Sequence, residues 1–398
     1  MSTLVVTALN PTESLTEGFL PAAARLGLDV TVLTDSPAAH RRAYAGTPVT
    51  ATRVRQCDVR DHRAVIAELH ADGPPDGLFS NSDHLQAATA LAADYFGLPG
   101  KDWRAALRTK DKALTRLHLA AAGLDAVRSA VLDPDTPPGA VTVPFPAVLK
   151  PRHGVASEDV YLCRHGADLA ARVAEIRSRR PREPLVAEEY LAGPLHTLET
   201  LGDGHTLRVL GGFRTRLSPP PHFIEERLDW RPRLPGPVLD SVLAQLEALG
   251  VGFGACHTEF VVQGDRARII EVNYRIIGDL CDFLLAELLG EPVFEQVLRV
   301  HLGERLPAPA PRAHRHARIE YVCARRSGVL RTAPPPHVRE GAVRLTYRPL
   351  RTVGDTVTVS HTNRDYLGVV RGVAEDRAAV DRAVEDFLAA GRWEVSAP

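Results

Sequence analysis

The stretch from Gly254 to Asp279 constrains the fold more than any other part of the chain. Two strand-like segments, Ala255–Val262 and Arg266–Asn273, flank residues 263–265, which predicts a β-hairpin with a three-residue loop. Apolar residues alternate along both segments, so the remaining positions form one polar face. That face carries His257, Glu259, Glu271 and Asn273. We expect Glu259 and Glu271 to be diagonal neighbours across the hairpin, about 7–8 Å apart.

This polar face has the chemistry of a hard-cation site. Two carboxylates and an amide oxygen are ligands that Mg²⁺ shares with substrate phosphates. Like charges at neighbouring positions destabilise a sheet unless something neutralises them. The sequence therefore predicts Glu259, Glu271 and Asn273 as metal ligands. Arg275 follows closely, where its guanidinium can bind a phosphate or a carboxylate through two hydrogen bonds. The alternative is the polar outer face of an ordinary hairpin.

Composition limits the classes of protein to which the chain can belong. Its 398 residues suggest two to three domains, and a hydrophobic content of 44% supports a sizeable core. The net charge is −1, so neither a nucleic acid nor a membrane surface is an expected partner. The five cysteines are scattered, and no apolar run approaches the ~20 residues that span a membrane. We expect a cytoplasmic protein.

Lysine is unusually rare in this chain. Of its 48 basic residues only four are lysine, namely Lys101, Lys110, Lys112 and Lys150. A lysine retained in such a chain predicts a site where a compact ammonium is needed that a guanidinium cannot replace, with chance as the alternative. Asparagine is equally scarce, occurring at Asn10, Asn81, Asn273 and Asn363.

The order of predicted elements indicates an α/β protein in five parts. Strand and helix signals alternate over 1–100, which predicts a small parallel sheet covered by helices. A helical linker follows over 101–126, then a lid-sized unit of strands and a helix over 127–191. Residues 192–310 contain antiparallel strands and the hairpin, with a proline-rich loop predicted over Ser218–Pro237. Residues 311–398 form a β-rich lobe. In open sheets, ligands bind beyond the strand ends, where 10–14 and 80–84 lie.

Six motifs follow one another in an informative order. They are Lys112 in TKDK, Lys150 in VLKP, the loop Gly154–Ser157, EEYLAG at 188–193, HTEF at 257–260 and EVNYRIIG at 271–278. In this order and spacing the chain resembles the ATP-grasp ligases, most closely the carboxylate–amine ligases that make dipeptides and amides. The resemblance covers about residues 1–390. It implies an N-terminal parallel α/β domain, a mobile ATP lid of α+β structure and a central antiparallel-sheet domain.

The resemblance also implies roles for individual residues. ATP would be bound by the residues of the linker, the lid and the lid's last strand: Lys112 and Lys150 at the phosphates, Gly154 and Ser157 in the phosphate loop, and Glu188, Glu189 and Leu191 at the adenine. Glu259, Glu271 and Asn273 would hold one or two Mg²⁺ ions, with Mn²⁺ as an alternative. Arg275 would bind the substrate carboxylate, and Glu225 would take part on the amine side.

The chain departs from the family pattern at three places. Leu195 stands where an acid often binds the ribose, and Glu199, further along the same strand, is the alternative ribose contact. Leu228 replaces a histidine on the amine side. The usual Gly-Gly ending is Gly278-Asp279 here. We expect Asp279 to cap the next helix, with contact to a cationic or hydroxylated substrate as the alternative.

Three functions are consistent with these observations. The first is an ATP-dependent ligase that joins a carboxylate to an amine through an acyl-phosphate, with amino acids as substrates in siderophore or other secondary metabolism. The second is a bicarbonate-activating carboxylase or purine-type ligase with the same fold. The third is a nucleotide-binding regulator without catalysis. The partners are small molecules in the first two, and a homodimer is consistent with the resemblance.

Overall fold

The computed structural model describes residues 2–45, 53–124 and 127–397. Its first sheet is parallel and four-stranded, with strand order β3-β2-β1-β4, as the strand–helix alternation predicts. The elements are β1 (Thr3–Thr7), α1 (Leu20–Arg25), β2 (Asp29–Thr34), α2 (Pro37–Tyr44), β3 (Arg53–Gln56), α3 (His62–Asp72), β4 (Gly77–Phe79) and α4 (Gln86–Tyr95). A π-helical turn at Ser14–Phe19 leads into α1.

Two helices connect this sheet to the next one. They are α5 (Trp103–Lys110) and α6 (Lys112–Ala121). Asp111 separates them, and its carboxylate accepts hydrogen bonds from the N–H groups of Ala113 and Leu114 at 3.0 and 3.2 Å. Such a cap satisfies backbone donors at the start of a helix. It fixes Lys112 as the first residue of α6.

The second sheet is antiparallel with order β5-β8-β6-β7. Its elements are β5 (Ser129–Leu132), β6 (Ala147–Pro151), β7 (Tyr161–Cys163), α7 (Gly166–Arg179) and β8 (Leu185–Glu189). The apolar side of α7 packs on one face of the sheet. The predicted strands and helix of this unit are confirmed, while β5 was not predicted.

A nine-stranded antiparallel sheet forms the centre of the molecule, in the order β13-β12-β9-β10-β11-β14-β19-β17-β16. Residues 195–323 provide, in chain order, six of its strands and three helices: β9 (Leu195–Asp203), β10 (Leu207–Leu217), β11 (Glu225–Arg231), α8 (Gly236–Leu249), β12 (Phe253–Gln263), β13 (Arg266–Asn273), α9 (Cys281–Leu289), α10 (Val293–His301) and β14 (His316–Cys323). The rest of the chain adds β15 (Gly328–Thr332), β16 (His337–Arg339), β17 (Arg344–Pro349), β18 (Thr356–Val357), β19 (Tyr366–Ala374), α11 (Arg377–Ala390) and β20 (Glu394–Ser396). The short strands β18, β15 and β20 form a fourth sheet.

Two strands of the large sheet contradict the predictions. The segment predicted as a proline-rich loop over Ser218–Pro237 contains β11, and no strand was predicted at β19. The β11 strand is rich in charge. Arg227 pairs with Asp229 of the same strand at 2.7 Å and with Asp381 of α11 at 3.0 Å. The second contact depends on a residue that is distant in sequence, so local sequence does not reveal it.

Apolar packing determines which way the hairpin faces. Helix α8 covers one side of β12 and β13, where Val242 and Leu246 pack in the same core as Phe260, Ile269 and Val272. The polar side of the hairpin therefore faces away from α8, toward the lid. No helix in the described part of the chain is both long enough and apolar enough to cross a membrane.

Candidate functional site

The hairpin formed by β12 and β13 is present, but its register differs from the expected one. The turn is one residue shorter than predicted, because Gln263 pairs with Arg266. A β-bulge beyond Glu259 then adds one residue to β13, so Glu259 lies directly opposite Glu271. The prediction that these residues are diagonal neighbours is wrong. A bulge of this kind re-aims a side chain beside a functional site, and here it brings the two carboxylates face to face.

Lys112 neutralises one of these carboxylates. Its Nζ lies 3.0 Å from Glu271 Oε1 and donates to the carbonyl oxygen of Gly154, also at 3.0 Å. The side chain is almost fully buried. One of the rare lysines thus connects the hairpin to the glycine loop of the lid, as a compact ammonium can.

His257 lies behind the other carboxylate. Its Nε2 is 3.5 Å from Glu259 Oε1, and its Nδ1 is 2.8 Å from Glu199 Oε1. Burial opposes the charged form, but the two carboxylates raise the pKa of His257 to about 10. Burial likewise acts to raise the pKa of Glu259, yet His257, Lys112 and Lys150 bring it below its usual value.

The role predicted for Glu199 is wrong. Glu199 is only 1% exposed and lies directly opposite His257 in the pairing of β9 with β12. Its carboxylate accepts a hydrogen bond from Thr197 Oγ1 at 2.7 Å in addition to binding His257. It does not belong to the lining of the cavity described below. Glu199 therefore orients His257 and has no access to a ribose.

The paired carboxylates fit a Mg²⁺ ion that is also bound by phosphate. Glu259, Glu271 and Asn273 offer only oxygen ligands of the hard type that Mg²⁺ prefers. Within the described ranges, no group of three or more His, Cys, Asp or Glu side chains is arranged to hold a metal ion. An ion at this place would therefore complete its coordination with water and substrate oxygens, which is usual for Mg²⁺.

Lys150 and Glu188 form a buried ion pair at the back of the same cavity. The Nζ atom of Lys150 lies 2.7 Å from Glu188 Oε2, and Arg116 binds the same carboxylate through two hydrogen bonds of 2.8 and 3.2 Å. Burial opposes ionisation, but Arg116 and Lys150 lower the pKa of Glu188 to about 2. Burial also lowers the pKa of Lys150, with Glu188 acting against the shift.

Glu189 is bound in the same manner by two other arginines. Arg128 and Arg268 each lie 2.7 Å from one of its carboxylate oxygens. The carboxylates of Glu188 and Glu189 both bind arginine, and contact of either residue with the adenine stays a prediction. Both residues still line the cavity, together with Leu191. The backbone groups of this segment are also able to contact a base.

The loop Gly154–Ser157 has the backbone shape of an anion-binding turn. Ala156 and Ser157 both have φ values of +56°, in the left-handed region. Gly154 donates its N–H to Pro151 and Glu158 donates to Val155, whereas the three N–H groups between them donate to no residue of the described ranges. Consecutive free N–H groups in such turns form concavities that bind anions.

The lid end of the cavity is apolar. Leu195, which stands where an acid was expected, packs in a small cluster with Val127, Leu191 and Val261. Val148 and Ile270 also line this part of the cavity. An apolar wall beside backbone groups is suited to a flat heterocycle.

Arg275 lies where two cavities meet. The first has a volume of about 390 Å³ and extends from the lid to the hairpin. The second, of about 540 Å³, lies beyond the ends of β1 and β4. Both are lined by Arg275, Gly278, Asp279 and Asn363. Residues of 10–14 and 80–84, which the sequence placed at the strand ends, line the second cavity.

Two carboxylates face this junction with raised pKa values. Desolvation, followed by the charge of Glu259, holds the pKa of Glu225 well above its usual range. Desolvation also raises the pKa of Asp279, where Arg275 opposes the shift and Glu13 adds to it. The raised pKa values mean that this environment disfavours the charged forms of both carboxyl groups, and a cation bound nearby would favour their ionisation.

Asp279 does not cap the following helix. The residue at the cap position of α9 is Leu280, and no side chain caps this helix by a hydrogen bond. Asp279 and Leu280 have φ values of +53° and +66°, so the chain passes through two left-handed residues before α9. The predicted cap is wrong, because this conformation turns the Asp279 side chain into the joined cavities, where it is exposed.

Three residues near the junction were missed by sequence reasoning. Tyr321 donates a hydrogen bond to the carbonyl of Asp279, and Tyr366 donates one to the carbonyl of Glu225, both at 2.8 Å. The two tyrosine rings stack with centroids 4.2 Å apart. Asn363 accepts from the N–H of Glu225 at 3.2 Å and donates its own N–H to Ala156 O at 3.2 Å. The scarcity of asparagine was the one available signal for Asn363.

Part of the chain matches a known family model, and the whole chain has relatives. Residues 20–100 match the ATP-grasp N-terminal domain. An uncharacterized protein of Sinorhizobium fredii is 27% identical over 402 residues, which is 95% of this chain and 80% of that protein. Human carnosine synthase 1 is 27% identical over 297 residues, which is 65% of this chain. The match covers 36% of carnosine synthase 1, so it spans about a third of that enzyme.

The fold agrees with that of a solved enzyme over its full length. The crystal structure of L-amino acid ligase from Bacillus licheniformis superimposes with a TM-score of 0.79 and 20% sequence identity. The alignment covers 100% of this chain and 99% of that enzyme. The N-terminal parallel sheet, the antiparallel lid and the central antiparallel sheet thus follow one architecture in both.

Proposed function

We propose that the chain is an ATP-dependent carboxylate–amine ligase that releases ADP and phosphate, because residues 20–100 match the ATP-grasp N-terminal domain and the whole fold agrees with that of an L-amino acid ligase. The observation that carries this proposal is the convergence of one set of groups in one cavity. Glu259 faces Glu271 across the hairpin, Lys112 binds Glu271, and Arg275 lines the same wall. These groups supply what phosphoryl transfer to a carboxylate needs, namely positioning and charge neutralisation.

The proposed reaction has two steps. A carboxylate oxygen of the first substrate attacks the γ-phosphorus of ATP, the bond to the β–γ bridging oxygen breaks, and ADP leaves. The amine nitrogen of the second substrate then attacks the acyl carbon. The bond between that carbon and the phosphate oxygen breaks, phosphate leaves with the electron pair, and the nitrogen loses a proton. The product is an amide.

The chain's own residues position these groups. Lys112, Lys150 and the free N–H groups of the glycine loop bind the triphosphate. Arg275 binds the carboxylate and stabilises the negative charge of the tetrahedral species. Glu225 faces the incoming amine. When bound by Glu259, Glu271 and Asn273, one or two Mg²⁺ ions neutralise phosphate charge.

The second cavity supports an enzyme over a regulator that only binds nucleotide. It measures about 540 Å³ and has Arg275 on its wall. A regulator that only binds nucleotide needs neither that cavity nor an arginine at its entrance. Amino acids of a siderophore or other secondary pathway are the substrates we propose, with a cytoplasmic location. A homodimer stays a prediction.

The test is product formation from defined mixtures. The protein is incubated with ATP, Mg²⁺ and pooled amino acids, and both ADP and mass-shifted products are measured. ADP should appear only when carboxylate, amine and Mg²⁺ are all present. Release of ADP with bicarbonate alone would replace the proposal by the carboxylase. Binding of ATP without turnover under every condition would replace it by the regulator.

A further inference from the structure

The β-bulge in the hairpin gives two neighbouring residues of β13 the same orientation. Ile270 is the extra residue, because the pairing with β12 passes from Ile269 directly to Glu271. Successive side chains of a regular strand point to opposite faces of the sheet. Here both Ile270 and Glu271 line the cavity that extends from the lid to the hairpin. The bulge thus places an apolar wall residue and a proposed metal ligand side by side.

Without the bulge, Glu271 would lie on the other side of the hairpin. A regular ladder continued from the pair of Phe260 and Ile269 would place Glu271 opposite Thr258. Thr258 is fully buried and lies on the same face as Phe260, which packs under α8. A shift of one residue in the pairing moves a side chain to the opposite face. The pair formed by Glu259 and Glu271 therefore depends on the bulged register.

A bulge leaves backbone groups without their partners in the ladder, and Arg116 of α6 binds two of these groups. Its Nη1 donates to the carbonyl oxygen of Ile269 at 2.8 Å, and its Nη2 donates to that of Ile270 at 2.6 Å. Consecutive carbonyls of a regular strand point to opposite edges, whereas these two accept from one guanidinium. Because a buried carbonyl without a donor is costly, Arg116 stabilises the bulged conformation.

Arg116 is itself held from the side of the lid. Its Nε and Nη2 donate to the two carboxylate oxygens of Glu188 at 2.8 and 3.2 Å. The side chain is almost fully buried, and all three of its nitrogens donate hydrogen bonds. A guanidinium presents its donors in a rigid planar fork that an ammonium does not reproduce. Glu188 therefore fixes the orientation in which Arg116 meets the two carbonyls.

We propose that Arg116 is a positioning residue for the metal site, because it fixes the β-bulge that holds Glu271 opposite Glu259. Arg116 lines neither cavity, so it acts through the backbone of β13 and not by contact with a substrate. The inference rests on the proposed function, in which the two carboxylates hold Mg²⁺. It also connects the metal site to Lys150, since Lys150 and Arg116 bind the same carboxylate of Glu188.

The test measures metal binding directly, so it does not depend on turnover. The full-length protein is mixed with Mn²⁺ and an ATP analogue in which a methylene group replaces the β–γ bridging oxygen. Free Mn²⁺ is measured by electron paramagnetic resonance. In Arg116→Lys a cation remains beside Glu188, but the planar fork to the two carbonyls is lost. We expect the Kd for Mn²⁺ to rise about 10-fold or more, as it does when residues that orient metal ligands are replaced.

Arg312→Lys is the matched control. Arg312 donates to the carbonyls of Val209 and Leu210 at 3.2 and 2.9 Å, at a second bulge, between β9 and β10. It makes the same kind of contact as Arg116, but none of these three residues lines either cavity. Its Kd for Mn²⁺ should stay at the wild-type value. Hydrogen–deuterium exchange should become faster in β13 for Arg116→Lys and in β10 for Arg312→Lys.

A second variant keeps the test independent of one substitution. Arg116→Gln retains an amide donor for one carbonyl and has no charge, so its Kd for Mn²⁺ should rise at least as much as that of Arg116→Lys. A rise confined to the Arg116 variants, with faster exchange in β13, supports the inference. Unchanged Mn²⁺ affinity in these variants, or an equal loss in Arg312→Lys, overturns it.

The ligase function is decided by a separate measurement. If the wild-type protein binds no Mn²⁺ together with the analogue, the metal site is refuted and the inference is overturned with it. If Mn²⁺ binds but no mixture of acids and amines yields ADP from ATP, the ligase function fails. The role of Arg116 is then still decided by the Mn²⁺ affinities of its variants.

Discussion

The two ends of the joined cavities differ in whether their charged side chains form ion pairs within the protein. At the nucleotide end, Lys112 binds Glu271, and Lys150 binds Glu188, within 3.0 Å in each case. At the other end, Arg275 and Asp279 have no ion partner among the described residues. The nucleotide end is therefore organised before any ligand arrives, whereas the other end depends on the ligand for its counter-charges. In the proposed ligase the first end would bind the nucleotide, and the second would determine which acid is used.

The largest predicted effect is expected at the proposed metal site, which lies between the two ends. Glu271→Gln keeps the shape of the side chain but removes one of two facing carboxylates and the partner of Lys112. We expect turnover to fall on the order of 10⁴-fold, because several kcal/mol of charge stabilisation are lost. ADP release is the measurement, and a retained far-UV circular dichroism spectrum, which shows that the variant folds, is the control. Activity within a few-fold of wild type would show that the carboxylate pair holds no metal.

The next effect is on stability at the nucleotide end. Glu188→Gln leaves Lys150 and Arg116 buried with no anion between them, and we expect a loss of about 3–5 kcal/mol in the free energy of unfolding. Denaturant unfolding measures it. Glu385→Gln is the comparison, since Glu385 is an exposed partner of Arg318, which also binds Glu320 and Asp381, and its loss should cost under about 1 kcal/mol. Equal losses in both variants would contradict the distinction between the ends.

We expect the effect of Glu188→Gln on the free energy of unfolding to depend on pH. The folded-state pKa of Glu188 is about 2, below its usual value of 4.5. Its stabilising effect is therefore fully present above about pH 4.5 and disappears as the pH falls toward 2. The difference in unfolding free energy between wild type and Glu188→Gln should shrink over that window. A difference independent of pH would mean that the carboxylate is not ionised in the folded protein.

At the substrate end, Arg275→Lys tests geometry rather than charge. Lysine keeps the positive charge but loses the two-pronged contact with a carboxylate, so we expect kcat/KM for the acid to fall about 10²-fold. The KM for ATP should change little. Arg325→Lys at the surface is the matched control. A loss that falls mainly on ATP affinity would assign Arg275 to the nucleotide end.

A smaller effect is expected from the tyrosine pair. Tyr366→Phe removes the hydroxyl that binds the Glu225 carbonyl but keeps the stacked ring. The loss of one hydrogen bond, about 1 kcal/mol, should raise the KM for the amine several-fold and leave ATP affinity unchanged. Product formation at varied amine concentration measures it. An effect on ATP alone would separate Tyr366 from the amine side.

Sequence reasoning was most successful where local pattern and motif agree. The parallel sheet, the lid helix and the hairpin follow from periodicity and turn residues, and Lys112, Lys150, Glu259, Glu271 and Arg275 all line one cavity in the structure. It was less successful where pairing partners lie far apart in sequence. The β-bulge at Glu259, the burial of Glu199 beside His257 and the arginine partners of Glu188 are all set by neighbouring strands and helices. No local pattern reports such contacts.

The substrate end was the least predictable part for the same reason. Tyr321, Tyr366 and Asn363 come from the last fifth of the chain, and each acts on the backbone of a residue more than forty positions away or on the lid loop. Asp279 was interpreted as a cap because an acid before a helix usually caps it. In the structure its backbone is left-handed and its carbonyl accepts a hydrogen bond from Tyr321, and the sequence displays neither feature.

The smallest predicted effect is a gain in stability at the substrate end. Asp279→Gly should raise the free energy of unfolding by about 0.5–1 kcal/mol, because glycine adopts a φ of +53° without strain and the repulsion by Glu13 disappears. Denaturant unfolding measures this gain. Asp376→Gly is the contrasting control: Asp376 caps α11 through the N–H groups of Ala378 and Ala379, so its replacement should destabilise the protein by a few tenths of a kcal/mol or more. If Asp279→Gly destabilises the protein, the carboxylate supports the fold. The distinction between an end whose charges are paired within the protein and an end whose charges are paired by a ligand would then not hold at this residue.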